Sequence, residues 1–136
     1  MKFDYFISHS SKDGKLVQKL ASYENSIGKL AFCDWIDDKD YLKRNLMCEA
    51  TLKVIEWRLK QSDAVIFVRT SNSLNSIWCK YELNYFKELK KPIYCIDGEQ
   101  LETADFHLEE FDVKTADLFD ENYKKLKIDY SADPGV

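Results

Sequence analysis

Ser71-Asn72-Ser73-Leu74-Asn75-Ser76-Ile77-Trp78-Cys79-Lys80-Tyr81-Glu82-Leu83-Asn84-Tyr85-Phe86-Lys87-Glu88-Leu89 follows the apolar run Ala64–Val68, and the change between the two sets the fold. Ala64-Val65-Ile66-Phe67-Val68 is short, continuous and rich in β-branched residues, so it reads as a strand buried on both faces. The polar patch after it holds three serines and two asparagines, whose side chains accept hydrogen bonds from first-turn N–H groups. Ser76 is the natural N-cap, and a helix is expected from Ile77 to about Lys90. Trp78 and Glu82 are four residues apart and share a helical face, with Tyr85 and Phe86 a turn further on. That spacing leaves two readings of Glu82: a solvated charge on an amphipathic helix, or a partly desolvated carboxylate beside an indole.

The alternation extends in both directions. Phe3–Ser8 reads as a buried strand, followed by a Ser10 or Ser11 cap and a helix from about Lys12 to Ile27. Leu16, Val17, Leu20 and Ala21 recur on that helix at helical spacing, and Gly28 stands where a glycine stop belongs. Leu30–Ile36 is the second strand, and Asp37–Asn45 a charged loop without periodicity. A helix over Leu46–Lys60 buries Cys48, Leu52, Ile55 and Leu59 and turns Glu49, Lys53, Glu56 and Lys60 outward. Pro92–Ile96 is a fourth strand, closed by Asp97-Gly98. Beyond it, Glu109–Val113 reads as an edge strand and Ala116–Leu126 as a last helix carrying Leu118, Phe119, Tyr123 and Leu126. Strand and helix alternating with short connections make right-handed βαβ units, hence an α/β fold with a parallel sheet covered on both faces.

Composition bounds the function. The 136 residues, 45% of them hydrophobic, suit one domain over 1–136 with a single sizeable core. No run approaches the roughly 18 apolar residues of a membrane span. Met1-Lys2-Phe3-Asp4 does not open an export signal, so a cytoplasmic location is expected. Cys33, Cys48, Cys79 and Cys95 have no metal-binding or redox spacing, and His9 and His107 are the only histidines; no metal site is expected. Residues 1–96 carry 16 Lys+Arg against 12 Asp+Glu, and residues 97–136 carry 4 against 12, so the two parts are +4 and −8. The acidic part is either a solvated tail or a surface complementary to the basic part of a neighbouring copy. The mild overall acidity argues against a nucleic-acid partner.

Ser76-Ile77-Trp78-Cys79-Lys80-Tyr81-Glu82-Leu83 resembles the Ser-x-Trp-Cys-x-x-Glu-Leu signature of TIR (Toll/interleukin-1 receptor) domains. Phe3-Asp4-Tyr5-Phe6-Ile7-Ser8-His9-Ser10 resembles the first strand and following loop of the same family, about 65 residues upstream. The resemblance covers residues 2–97 well and 98–136 weakly. It implies a flavodoxin-like sheet of order 2-1-3-4-5, whose ligand crevice lies at the carboxyl ends of the first and third strands. Ser8–Asp13 and Ser71–Ser76 would be its walls.

Catalytic members of the family cleave NAD⁺, as substrate rather than cofactor, with the signature glutamate. The resemblance therefore implies Glu82 as the catalytic residue, partly open to solvent, with Trp78 as an aromatic shelf lining the crevice beside it. Ser76, Ser8, His9 and Ser10 are implied as further substrate contacts, and Arg69 or Arg44 as candidate diphosphate partners. Some active relatives carry a basic residue where this chain has His9 and Ser10. Asp37–Asn45 matches the family's assembly loop, so Asp37, Asp38, Lys43 and Arg44 are implied in self-association. Phe6-Ile7-Ser8-His9-Ser10, Asp34-Trp35 and the charged loop resemble small TIR proteins of Thoeris-type anti-phage systems, which make a nucleotide messenger for a separate effector. Three readings stay open: an NAD⁺ glycohydrolase or cyclase, a non-catalytic oligomerisation module, and a flavodoxin-like binder or base-exchange transferase of another family.

Overall fold

In the computed structural model of the chain, the described residues are 2–33 and 49–126, with side chains described at 2–33 and 52–126. Their central element is a five-stranded sheet of order β2-β1-β3-β4-β5. The strands are β1 (Phe3–Ser8), β2 (Ala31–Phe32), β3 (Ser62–Arg69), β4 (Ile93–Asp97) and β5 (Glu109–Glu110). β1 pairs in parallel with β2 and β3, and β3 with β4, whereas β5 joins β4 antiparallel. The fifth strand thus departs from an all-parallel reading and spans only the first two residues of the expected Glu109–Val113. Val113 is buried instead in a 3₁₀ turn, Val113–Ala116.

Alternate residues of each central strand serve opposite layers, because strand side chains point alternately to the two faces. Phe6, Val65, Phe67 and Cys95 pack beneath α2 (Glu49–Lys60) and α4 (Ile77–Glu88), in a layer rich in rings that includes Tyr81, Phe86 and Tyr123. Ile7, Ile66, Val68 and Ile96 face the other way, onto Val17, Leu20 and Ala21 of α1 (Gly14–Ser26) and Leu101 of α5 (Gly98–Glu102). Both faces being covered is the physical reason these strands are apolar throughout.

The boundaries show local chemistry at work. Ser10 caps the first turn, its hydroxyl accepting from the Lys12 N–H, but Ser11–Asp13 is 3₁₀ and α1 starts only at Gly14. Gly28, at φ +83°, ends α1 in the left-handed region that a side chain disfavours. Of the expected second strand, Leu30 is exposed, Ala31 and Phe32 are paired, and residues 34–36 lie outside the described residues. In α2, Ile55 and Leu59 are buried as expected, while Cys48 lies outside the described residues. Glu56 departs from its expected solvated role: it accepts a 2.5 Å hydrogen bond from the Tyr81 hydroxyl.

Two short helices, α3 (Ser71–Leu74) and α5, were not legible as helices. Gly98, expected as a turn residue, opens α5 where a Cβ would lie 2.9 Å from the Thr70 methyl. The expected helix Ala116–Leu126 is absent. Asp117 takes a left-handed conformation (φ 56°) and ends the first 3₁₀ turn, and a second covers only Tyr123–Lys125. Asn84 of α4 satisfies this segment's backbone instead, donating to the Leu118 carbonyl and accepting from the Asp120 N–H. The side-chain bonds secure the segment without a helical ladder.

Candidate active site at the ends of strands one and three

β1 and β3 are neighbours, and their chains leave toward opposite layers, α1 against one face and α4 against the other. A crevice at such a switch point is where open α/β sheets bind ligands. Ser8, the last residue of β1, lies in register with Phe67 of β3. Its hydroxyl donates to Glu82 Oε1 at 2.8 Å, joining the strand end to α4 across 74 residues of sequence. Ser8 is fully enclosed and Glu82 only 4% exposed, so this is a hydrogen bond to a carboxylate in a largely dry setting.

α4 delivers Glu82 because Ser76 starts the helix where the sequence says it should. The Ser76 hydroxyl accepts from the Cys79 N–H at 3.3 Å and is buried as a cap. His9 and Ser10, also buried, build the loop after β1. His9 Nδ1 lies 2.9 Å from the Ser10 carbonyl, to which it donates, and Nε2 lies 3.5 Å from the Cys33 sulfur. Ser8, Glu82, Ser76, His9 and Ser10 therefore gather at one end of the sheet, with Ser76 and Ser10 also serving as caps.

Two expectations are corrected. Glu82 was expected to be partly open to solvent and Trp78 to line the crevice as a shelf. Both are only 4% exposed, and Trp78 belongs to the ring-rich core layer. Trp78 leans into the same hydrophobic packing as Phe86 because the helix turns that face toward the sheet. Arg69 is taken up by Asp97, through bonds of 2.6 and 3.1 Å, and this pairing holds its guanidinium more firmly protonated than usual. Asp37, Asp38, Lys43 and Arg44 lie outside the described residues.

A second connection across the crevice was not read from the sequence. Asp13, at the end of the 3₁₀ turn, accepts from the Thr70 hydroxyl at 2.5 Å and from the Asn72 amide at 3.0 Å. The available signals were an aspartate just after a capping serine and a threonine just after the strand, both too common to single out. Among the described residues no group of three His, Cys, Asp or Glu is placed to hold a metal ion, and no helix is long and apolar enough to cross a membrane.

The order 2-1-3-4-5 sheet agrees with the family profile described as TIR domain, which matches residues 6–127. The chain belongs to the TIR domain family. It is 40% identical over 112 residues to the Cytobacillus dafuensis protein named "Putative cyclic ADP-D-ribose synthase TIR2", covering 82% of this chain and 30% of that protein. It is 31% identical over 91 residues to the Bacillus cereus (strain MSX-D12) protein named "Probable 3' cyclic ADP-D-ribose synthase ThsB'", covering 67% of this chain and 47% of that protein. The match thus spans less than half the length of either relative.

Proposed function

We propose that this TIR domain cleaves NAD⁺ between ribose and nicotinamide and passes the ADP-ribosyl unit to water or to the substrate's own adenosine half. The single observation that carries the proposal is the buried Glu82 carboxylate, clasped by Ser8 at the switch point of the sheet. The nicotinamide ring of NAD⁺ is already cationic. When the C–N bond breaks, both electrons go to the ring nitrogen, and nicotinamide leaves neutral without needing a proton. Positive charge develops on the ribose instead, and a fixed carboxylate stabilises it or holds the ribose hydroxyls as it forms. Ser8 fixes that carboxylate in one orientation, so little reorganisation accompanies the reaction. Attack by water then gives ADP-ribose and a proton; attack by a group of the adenosine half gives a cyclic isomer and the same proton.

The relatives' names favour the cyclic outcome, and a nucleotide messenger acting on a separate effector in anti-phage defence is the role that fits it. NAD⁺ is consumed as substrate, and the proposed reaction asks for no further cofactor or metal. Entry to the site requires the cover over Glu82 and Trp78 to shift, and self-association through Asp37–Asn45 is the proposed cause. Excluding water favours cyclisation over hydrolysis. Incubation with NAD⁺, followed by chromatography of the products over a hundredfold range of protein concentration, tests both parts. Nicotinamide with a cyclic isomer, formed faster than linearly in protein, is the expected result.

The enclosure of Glu82 and Trp78 favours a second reading, a non-catalytic self-association module in which both are core residues. It predicts no nicotinamide at any concentration, and unchanged self-association in Glu82→Gln.

A further inference from the structure

Asp13 occupies the N-cap position of α1 and makes no side-chain cap bond there. Aspartate is among the residues that most often do cap, because its carboxylate suits the free N–H groups of the first turn. Here it reaches across the crevice. Oδ2 accepts from Thr70 and Oδ1 from Asn72, partners 57 and 59 residues away, and Asp13 itself is buried. Burying a carboxylate is costly unless donors meet it, so this charge is held by the opposite wall rather than by its own helix.

The opposite wall is itself tightly organised. Because the Thr70 hydroxyl gives its proton to Asp13, it is the acceptor toward the Ser73 N–H that it caps. The Ser73 hydroxyl accepts from the Thr70 N–H and donates to the Val68 carbonyl at the end of β3. Asn75 follows, then the Ser76 cap and α4 with Glu82. Two clasps therefore join the same pair of walls: Ser8 to Glu82, and Asp13 to Thr70 and Asn72.

We propose that Asp13 is a positioning residue for the reaction, setting the start of α4 against the loop after β1 and hence the Glu82 carboxylate against the ribose. This rests on the NAD⁺-cleaving reading. Misplacement by about 1 Å can cost as much as a hundredfold in rate, so the clasp matters for turnover more than for binding.

Nicotinamide release by Asp13→Asn tests it, because the amide turns one acceptor into a donor that faces a donor. Loss of about tenfold or more in kcat is expected, with KM within about twofold. Thr70→Ser, which keeps the hydroxyl, should stay within about twofold of wild type, and the Asp13→Asn/Ser8→Ala pair should lose less than the product of the single losses. Wild-type kcat in folded Asp13→Asn, or fully multiplicative losses in the pair, overturns the proposal. If Asp13→Asn does not fold, Asn72→Ala removes one clasp bond alone; an unchanged kcat in that variant also overturns it.

Amide exchange of residues 8–13 and 70–82, measured without NAD⁺, separates the two possible failures. If wild type releases no nicotinamide, the enzymatic reading and the positioning role fall together. Faster exchange in the variants would then show that the clasp survives as a structural link, and unchanged exchange would remove the clasp as well.

Discussion

Asn84→Leu keeps the approximate shape of the side chain and removes three hydrogen bonds, two of which tie the irregular C-terminal segment to α4. Asn84 Nδ2 donates at 2.8 Å to the carbonyls of Lys80 and Leu118, and Oδ1 accepts from the Asp120 N–H at 2.9 Å. Lys80 lies within α4, whose own ladder still serves its carbonyl. Leu118 and Asp120 have no such ladder, and each orphaned group costs about 1–3 kcal/mol while it stays out of water. Asp120 is partly exposed and its N–H can recover some hydration, so a total of about 2–4 kcal/mol is expected. For a domain of this size that is a fall of roughly 6–12 °C in melting temperature. Thermal unfolding followed by circular dichroism reads the fall, and amide exchange should quicken first near residues 118–123. A melting temperature within about 2 °C of wild type would refute the claim that side-chain bonds, rather than a helix, hold this segment.

Other perturbations report on separate parts of the fold. Glu24 is buried, and its carboxyl is pushed above the ordinary 4.5, chiefly by burial and further by Asp4, with Lys29 opposing. The folded state thus holds this proton after the unfolded chain has released it, and stability falls as pH rises from 4.5 through the raised value. Glu24→Gln should remove that fall, raising the urea midpoint relative to wild type at pH 7 but not at pH 4; equal differences at both would contradict it. Cys33, Cys79 and Cys95 are buried, and burial pushes the Cys95 thiol up to about 11, so a thiol reagent at pH 8 should label them only on unfolding. Prompt labelling of any of the three in the native protein would show that its layer opens. Gly98→Ala puts a methyl 2.9 Å from Thr70 Cγ2 and 3.3 Å from Leu16 Cδ1. A cost of about 1–3 kcal/mol in denaturant unfolding is expected, and no change would mean that Thr70 is free to move.

The parallel part of the sheet was legible because its strands are buried on both faces and leave an unbroken apolar signal. Ala64–Val68 and Phe3–Ser8 show this directly. Ser76 was legible as a cap because capping is local chemistry, decided within three residues. Topology and the family resemblance together put Ser8 and Glu82 at one crevice, but their hydrogen bond was not read, since neither residue announces the other across 74 positions. Residues 116–126 were misread for a physical reason. Leu118, Phe119, Tyr123 and Leu126 suit a helical stripe, but Asn84 offers the backbone of Leu118 and Asp120 partners from outside. The burial of Trp78 and Glu82 was equally hidden, since spacing gives the face of a helix and not what covers it. Asp13 was invisible as a clasp because a helix expected from about Lys12 makes it an ordinary first-turn acid until its partners are seen.

The most direct measurement is nicotinamide release from NAD⁺ by wild type and Glu82→Gln, compared at high protein concentration with both melting temperatures recorded. The substitution keeps the shape of the side chain and an acceptor oxygen for Ser8, while removing the charge that stabilises the ribosyl cation. Release by wild type, and none by a Glu82→Gln protein that melts within a few degrees of it, is the predicted result. Equal release by the two folded proteins would place the chemistry elsewhere and contradict the assignment of Glu82.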